Sequence, residues 1–328
     1  MRAIVTGGAG FIGSHLVDFL LHLGHEVIVL DNFSTGRPEN LEHVKGMVDV
    51  YECDLSFQGP WIQKIQRNDW VFHLAALADI VPSIKQPDRY FCANVVGTFN
   101  LLQAAKNAGV AKLVYAASSS CYGIPDIYPT PESAAIRPQY PYALTKRIGE
   151  ELIMHWAQVY KLPVVSTRFF NVYGPRSRTS GTYGAVMGIF LAQKLNSQPF
   201  TVVGDGNQSR DFTYVTDVAA ALVAVASSNK VSKIYNVGSG KTVSVNRLVE
   251  LLGGDVVYIP KRPGEPDCTF ADIGEIMRDI KWAPVIPIEK GIDLVLKDID
   301  YWSNAPVWTP DTIDLATRDW FKYLKGSD

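Results

Sequence analysis

A glycine-rich turn near the start of the chain limits the possible folds more than any other feature. The β-branched run Arg2–Thr6 leads into Gly7-Gly8-Ala9-Gly10-Phe11-Ile12-Gly13, and apolar residues then recur at helical spacing over Ser14–Leu23. Gly7 and Gly10 allow a tight turn and close approach of the backbone to a pyrophosphate, while Gly13 allows helix and strand to pack. The pattern predicts a dinucleotide-binding turn between a strand and a helix. A tight turn with a purely structural role is the alternative.

The residue at the end of the second strand-like run bears on the choice of cofactor. The run Glu26–Leu30 ends at Asp31, 18 residues after Gly13. A carboxylate there can accept hydrogen bonds from both hydroxyls of an adenosine ribose and would repel a 2′-phosphate, so NAD is favoured over NADP. Arg37 is close enough in sequence to weaken that preference. Asp54 and Leu55 follow another short apolar run and are weaker candidates for the adenine edge.

Strand-like and helical patterns continue to alternate after this turn. Repeated β-α-β units predict a parallel sheet with helices on both faces, because right-handed crossovers leave few other arrangements. After residue 170 the rhythm changes and glycine- and proline-containing loops become frequent, which indicates a smaller domain over one edge of the sheet. We predict a cofactor domain at 1–174, rejoined by about 212–240, and a substrate domain at 175–211 and 241–328. The repeating units use the segments Asp69–Leu74, Asn94–Ala108, Lys112–Ala117, Lys146–Tyr160 and Pro163–Phe170.

Composition excludes several classes of protein. The 328 residues carry 31 Lys and Arg against 33 Asp and Glu, so the net charge of −2 gives no global attraction to nucleic acid or an anionic membrane. Four widely spaced cysteines form no C-x-x-C pair, which argues against a metal site and a disulfide framework. No run of ~20 apolar residues predicts a membrane helix. We expect a cytoplasmic protein with reduced thiols.

Three polar residues suggest proton chemistry. Ser118 follows the strand-like run 114–117, and Tyr142 and Lys146 lie one helical turn apart on the same face. A nearby ammonium and a positively charged nicotinamide would both stabilise a phenolate, so Tyr142 could remove a hydroxyl proton while Ser118 hydrogen-bonds the same oxygen. The spacing Y-x-x-x-K also arises by chance, and the alternative is a surface pair. Ser119 and Ser120 are predicted to be structural.

Together these segments resemble the extended short-chain dehydrogenase/reductase superfamily, and within it the NAD-dependent nucleotide-sugar epimerase/dehydratase family, in particular proteins like UDP-glucose 4-epimerase. The resemblance extends from residue 1 to about residue 275. It rests on Gly7-x-x-Gly10-x-x-Gly13, His73-Leu74-Ala75-Ala76, Ser118 followed by Tyr122-Gly123, Tyr142-x-x-x-Lys146, Arg168-Phe-Phe-Asn171-Val-Tyr-Gly-Pro175 and Arg210-Asp-Phe-Thr-Tyr-Val-x-Asp217.

The resemblance implies a Rossmann-type doubly wound parallel sheet with a smaller C-terminal α/β substrate-binding domain, bound NAD, a UDP-sugar substrate and a homodimer formed through Asn94–Ala108 and Tyr142–Tyr160. It implies Ser118, Tyr142 and Lys146 as catalytic residues. The implied cofactor-binding residues are Gly7, Gly10, Phe11, Ile12, Gly13, Asp31, Asn32, Asp54, Leu55, Leu74, Ala75, Ala76, Asn94, Tyr142 and Lys146. The implied substrate-binding residues are Ser118, Tyr142, Asn171, Arg178, Arg210, Arg262 and Glu265.

Within this family the residues after Ser118 favour a 4-epimerase that works through a transient 4-keto sugar. Dehydratases place an Asp-Glu pair there and decarboxylases a glutamate, whereas this chain has Ser119 and Ser120. A uronic acid 4-epimerase stays open because Arg178 could pair with a sugar carboxylate. A 4,6-dehydratase, a simple dehydrogenase or reductase and a noncatalytic NAD-binding sensor are further alternatives, and other nucleotides than uridine diphosphate are not excluded. Trp320 and Phe321, in the helical pattern Asp311–Lys325, are interpreted as packing residues.

Overall fold

The structure, a computed structural model, describes residues 1–177 and 184–324. Within these residues, seven parallel strands form the main sheet in the order β11-β6-β5-β4-β1-β2-β3. Parallel pairing places all carboxyl ends at one edge of the sheet, where doubly wound sheets bind ligands. The strands are β1 (Arg2–Thr6), β2 (Glu26–Asp31), β3 (Asp49–Glu52), β4 (Trp70–His73), β5 (Lys112–Ser118), β6 (Val164–Phe169) and, after four short strands of the second region, β11 (Lys233–Val237).

Helices cover both faces of this sheet because each central strand is apolar on both sides. In β1, Ala3 and Val5 face one apolar cluster and Ile4 faces another. The first cluster is completed by two of the helices, α1 and α7, and the second by two others, α4 and α5. The prediction of a doubly wound parallel sheet is confirmed. These helices are α1 (Phe11–His22), the short α2 (Ile80–Lys85) and α3 (Pro87–Phe91), α4 (Gly97–Ala108), α5 (Pro141–Tyr160) and, after α6 in the second region, α7 (Val215–Ser227).

A second region with its own apolar cluster follows β6 and lies against the carboxyl edge of the sheet. Its strand Val256–Ile259 pairs in parallel with Phe200–Val203. Segment 233–237 returns to the main sheet beside β6, as expected, while the domain boundaries themselves stay a prediction. The remaining elements are β7 (Val172–Tyr173), α6 (Val186–Leu195), β8 (Phe200–Val203), β9 (Ser209–Arg210), β10 (Thr213–Tyr214), β12 (Val243–Ser244), α8 (Val245–Leu252), β13 (Val256–Ile259), β14 (Cys268–Thr269), α9 (Gly274–Ile280), α10 (Ile288–Lys297) and α11 (Pro310–Leu324).

Several of the predicted helices begin at other residues than the sequence pattern suggests; the first, predicted from Ser14, begins at Phe11. The helix predicted over Lys146–Tyr160 starts at Pro141, whose fixed φ suits the first helical turn. The helix predicted over Asn94–Ala108 is regular only from Gly97, and residues Cys92–Val96 form a π-helical turn before it. Among residues 1–177 and 184–324, no helix is long and apolar enough to cross a membrane.

Candidate active site

A deep cleft lies between the carboxyl edge of the main sheet and the second region. It has a volume of about 660 Å³. From the sheet side it is lined by residues that follow or end β1, β2, β4, β5 and β6, and from the other side by residues of α6, β9, α11 and the loop 262–269. The topology therefore gathers residues from Gly7 to Trp320, more than 300 positions apart in the sequence.

The glycine turn after β1 forms one end of the cleft. Gly7 has a φ of +70°, and a Cβ there would lie 2.7 Å from the amide nitrogen of Ala75. A Cβ at Gly13 would collide with the carbonyl oxygen of Gly7. Helix α1 starts directly after Gly10, which offers no side-chain cap, so backbone N–H groups of its first turn face the cleft. This cradle fits the pyrophosphate of a dinucleotide.

Asp31 stands at the end of β2 beside this cradle and is largely buried. Its Oδ2 accepts a hydrogen bond from the Ala9 amide at 2.9 Å, and its Oδ1 accepts one from the Phe33 amide at 2.9 Å. Burial raises the pKa of Asp31, and the backbone hydrogen bonds oppose this effect. The carboxylate thus fixes the glycine turn from behind in addition to facing the place where an adenosine ribose would lie.

Ser118 and Tyr142 meet in the middle of the cleft. Ser118 ends β5, Tyr142 lies in the first turn of α5, and both side chains line the cleft. The hydroxyl of Ser120 donates a hydrogen bond to Ser118 Oγ at 2.8 Å. Burial raises the pKa of the Tyr142 phenol; the Ser118 hydroxyl lowers it, and the charge of Asp79 raises it further. A phenol and a serine hydroxyl are therefore brought together at one place in the cleft.

Lys146 lies one turn further along α5 and also lines the cleft. Its Nζ sits 4.3 Å from the centroid of the Tyr115 ring, and the Tyr115 hydroxyl donates to the Lys146 carbonyl at 3.2 Å. Burial lowers the pKa of Lys146 to about 7, with the charge of Glu150 acting in the opposite direction. The ring of Tyr115 stabilises the ammonium where water cannot reach it.

A buried ion pair holds α5 against the sheet. Arg168 in β6 donates to Glu150 through Nη2 at 2.6 Å and through Nε at 3.0 Å, and its Nη1 donates to the Tyr122 hydroxyl at 2.8 Å. Ser166 also donates to Glu150 at 2.8 Å. Arg168 therefore anchors the helix that carries Tyr142 rather than lining the cleft.

The other end of the cleft carries a cluster of charges. Arg210 Nη2 donates to Glu265 Oε1 at 2.9 Å, and Arg262 Nη1 lies 3.5 Å from Glu265 Oε2. Asn171 accepts a hydrogen bond from the Thr269 hydroxyl at 2.7 Å. Two guanidinium groups around one carboxylate suit a diphosphate, which guanidinium groups bind in pairs of hydrogen bonds.

Comparison with known proteins identifies the family. Residues 3–238 match the NAD-dependent epimerase/dehydratase family. The chain belongs to this family. It is 34% identical over 322 residues to the UDP-glucose 4-epimerase of Mycolicibacterium smegmatis, covering 93% of this chain and 99% of that one. It is 33% identical over 318 residues to UDP-glucuronic acid decarboxylase 1 of Xenopus tropicalis, covering 92% and 74%.

A solved structure agrees with the sequence relatives. The UDP-glucose 4-epimerase of Thermotoga maritima, determined with UDP-glucose, superposes with a TM-score of 0.85 at 33% identity, over 93% of this chain and 99% of that one. The predictions of an NAD-dependent enzyme of the epimerase type and of its Rossmann-like fold are confirmed. Among the described residues, no group of three or more His, Cys, Asp or Glu is arranged to bind a metal ion.

Most of the site residues predicted for this family member line the one cleft, with two exceptions. Asn94 is buried behind the wall, where its amide bonds Leu77 and the Thr145 hydroxyl, and Arg178 lies outside the described residues. Sequence reasoning missed Tyr115, Tyr140 and Trp320; for Tyr140 the position just before a helix starting at proline is a usable signal. The predicted residues in the cleft are Gly7, Gly10, Phe11, Ile12, Gly13, Asp31, Asn32, Asp54, Leu55, Leu74, Ala75, Ala76, Ser118, Tyr142, Lys146, Asn171, Arg210, Arg262 and Glu265.

Proposed function

We propose that this chain is a 4-epimerase acting on a UDP-hexose, with Ser118, Tyr142 and Lys146 as its catalytic residues. The observation that carries the proposal is that Ser118, Tyr142 and Lys146, the last two one helical turn apart, line one cleft that begins at the glycine turn. The relatives named as UDP-glucose 4-epimerases support uridine diphosphate as the nucleotide and a neutral hexose as the sugar.

In this proposal each residue has one task. Tyr142 takes the proton of the sugar 4-hydroxyl and returns it later, and Ser118 hydrogen-bonds the same oxygen. Lys146 binds the cofactor ribose and supplies positive charge near the phenolate. NAD, which the glycine turn and Asp31 would hold, would supply the hydride acceptor and donor for C4 of the sugar. Asn171 and the charge cluster hold the nucleotide through Arg210, Arg262 and Glu265.

The residues after Ser118 favour epimerisation over elimination or decarboxylation. Ser119 and Ser120 also line the cleft, and the Ser120 hydroxyl donates a hydrogen bond to Ser118 Oγ. Loss of a C6 hydroxyl needs a proton donor there. A UDP-uronate decarboxylase is the second candidate, since one relative is named for that activity and Asp79 places a carboxylate in the cleft.

We also infer a homodimer formed by α4 and α5. Four apolar side chains on these helices are 40–50% exposed, and Trp156 joins them through ring contacts to Phe99 and Tyr160. A second copy of this chain would remove this apolar surface from water. Sedimentation of the purified protein tests the inference, which a monomer at micromolar concentration contradicts. The exposed side chains are Phe99, Leu144, Val159 and Tyr160.

A panel of UDP-sugars read by proton NMR tests the proposed activity. We expect the purified protein to convert UDP-glucose to a product inverted at C4, with no new C6 methyl signal. A UDP-pentose formed from UDP-glucuronic acid would instead favour the second candidate. If Asp79→Asn then removed pentose formation while leaving NAD bound, the decarboxylase assignment would replace the epimerase.

A further inference from the structure

The C-terminal helix α11 places a tryptophan in the wall of the cleft. Trp320 is only 3% exposed and lines the cleft together with Ser118 and Tyr142. The helix lies beyond residues 3–238, which match the family. We propose that Trp320 contacts the sugar ring of the substrate, an inference that rests on the proposed nucleotide-sugar activity.

Trp320 is unlike the other buried residues of its helix. Ile313, two turns earlier, packs into the apolar cluster of the second region. Among residues 1–177 and 184–324, Trp320 belongs to none of the hydrophobic clusters. Its neighbours are cleft residues, namely the Tyr140 ring at 6.2 Å between centroids and the Arg262 guanidinium at 5.6 Å from its ring. Burial of this indole therefore shapes the cleft.

The indole is held from two sides. Its Nε1 donates a hydrogen bond to the Pro263 carbonyl at 2.7 Å, which ties it to the loop that carries Arg262 and Glu265. On the other side Tyr140 is stacked nearly parallel to Tyr142, with centroids 6.4 Å apart and 9° between the rings. Tyr140 also lines the cleft beside Ser120, whose hydroxyl donates to Ser118 Oγ at 2.8 Å. Trp320 thus connects the charge cluster to the proton-transfer residues.

This position decides what Trp320 can touch. The diphosphate would lie at Arg210 and Arg262, and the reacting hydroxyl at Tyr142. A pyranose joined to that diphosphate must span the distance between them, and the rings of Tyr140 and Trp320 wall that span. Small-molecule sites use aromatic side chains to bury the apolar part of a ligand, and the C–H face of a pyranose is such a part.

Two space-filling substitutions test this contact, with calorimetric titration of NAD-loaded protein by UDP and by UDP-glucose. Trp320→Leu removes the ring face, and Trp320→Phe keeps it while losing the bond to Pro263. We expect Trp320→Leu to raise the Kd for UDP-glucose about fivefold to tenfold while the Kd for UDP changes about twofold or less. We expect Trp320→Phe to recover most of the loss. Tyr323→Leu, on the exposed side of the same helix, is the matched control and should change neither.

The results separate this inference from the proposed activity. If Trp320→Leu weakened the binding of UDP and UDP-glucose equally, the indole would act only through the Arg262 loop, and the sugar contact would be overturned. Unchanged Kd values for both ligands would also overturn it. Melting temperature and NAD content show whether Trp320→Leu is unfolded. If it is, the ratio of the Kd values for UDP-glucose and UDP in Trp320→Phe tests the sugar contact instead. If the wild-type protein inverts no UDP-sugar, the proposed function fails, whereas the Kd ratio still reports on the contact.

Discussion

The two ends of the cleft are built in different ways. The cofactor end uses one continuous stretch, Gly7 to Gly13, and residues at the ends of neighbouring strands, such as Asp31 and Ala75. The other end, proposed above to hold the nucleotide sugar and called here the substrate end, uses side chains from four separate segments: Asn171, Arg210, the loop that carries Arg262, and the C-terminal helix. Backbone groups determine the shape of the first end, and long side chains determine the second.

This difference predicts different responses to substitution. In the glycine turn of the cofactor end a new atom meets backbone, as a Cβ at Gly13 would meet the Gly7 carbonyl, so substitutions of these glycines should abolish NAD binding rather than alter it. At the substrate end a changed side chain should alter the affinity for the nucleotide sugar, or the preference among such sugars, and leave the fold intact. Ser118, Tyr142 and Lys146 lie between the two ends and should affect turnover most strongly.

The largest effect is expected for Tyr142→Phe. Without the phenolic hydroxyl the proposed proton acceptor is lost, so turnover of UDP-glucose should fall about 10³-fold. NAD content and melting temperature should stay at the wild-type values. Tyr140→Phe is the matched control on the neighbouring ring and should lose less than about tenfold. Turnover of Tyr142→Phe within a few fold of wild type would refute the assignment of Tyr142.

The next prediction concerns folding stability, which we expect a substitution of Lys146 to increase. Burial lowers the pKa of Lys146 from 10.5 to about 7, so the unfolded chain binds this proton more tightly than the folded one. The buried Lys146 therefore lowers the free energy of unfolding. This loss is fully present below about pH 7 and fades as the pH rises from 7 to 10.5. Lys146→Met should therefore raise the free energy of unfolding of the cofactor-free protein by a few kcal/mol at pH 6, and by less at pH 9.

Chemical denaturation at both pH values measures this change, with Lys45→Met on the surface as the control. An equal or larger gain at pH 9 would contradict the buried ammonium. The same variant should be inactive, because the proposed charge beside the cofactor is gone. A Lys146→Met variant that is more stable but inactive would show that activity requires a buried charge that lowers the stability of the fold.

A third prediction sharpens the distinction at the cofactor end. Asp31→Ala should weaken NAD binding about 10–100-fold, because the carboxylate is both a ribose partner and an anchor for the Ala9 amide. NADP should be weakened far less, since its 2′-phosphate no longer meets a negative charge. Titration with both cofactors is the measurement, with Asp54→Ala as a milder control. Equal weakening of NAD and NADP would remove the basis for NAD preference.

The smallest effect is expected for Ser120→Ala. Its hydroxyl donates to Ser118 Oγ, so it helps to orient Ser118 without touching a reacting atom in the proposed mechanism. A neutral hydrogen bond contributes about 1 kcal/mol, so kcat should fall about fivefold with KM unchanged. A loss as large as that of Tyr142→Phe would make Ser120 a direct participant.

The sequence was sufficient for the parts of the molecule that depend on local patterns. The turn from β1 to α1 and the residue that ends β2 follow from neighbouring residues, and parallel pairing then fixes where Ser118 must emerge. Tyr115 beneath Lys146 could not be predicted, because that contact depends on how α5 packs against β5. Trp320 could not be placed either, because the path of α11 across the cleft is set by tertiary packing.

The central claim is that one hydride leaves and returns to the same sugar carbon beside Tyr142. Incubation of the NAD-loaded protein with UDP-glucose deuterated at C4 tests it most directly. We predict a product inverted at C4 that keeps its deuterium at that carbon, with no solvent hydrogen incorporated. Loss of the label to water, or a product changed at C6 with C4 retained in its original configuration, would contradict the account.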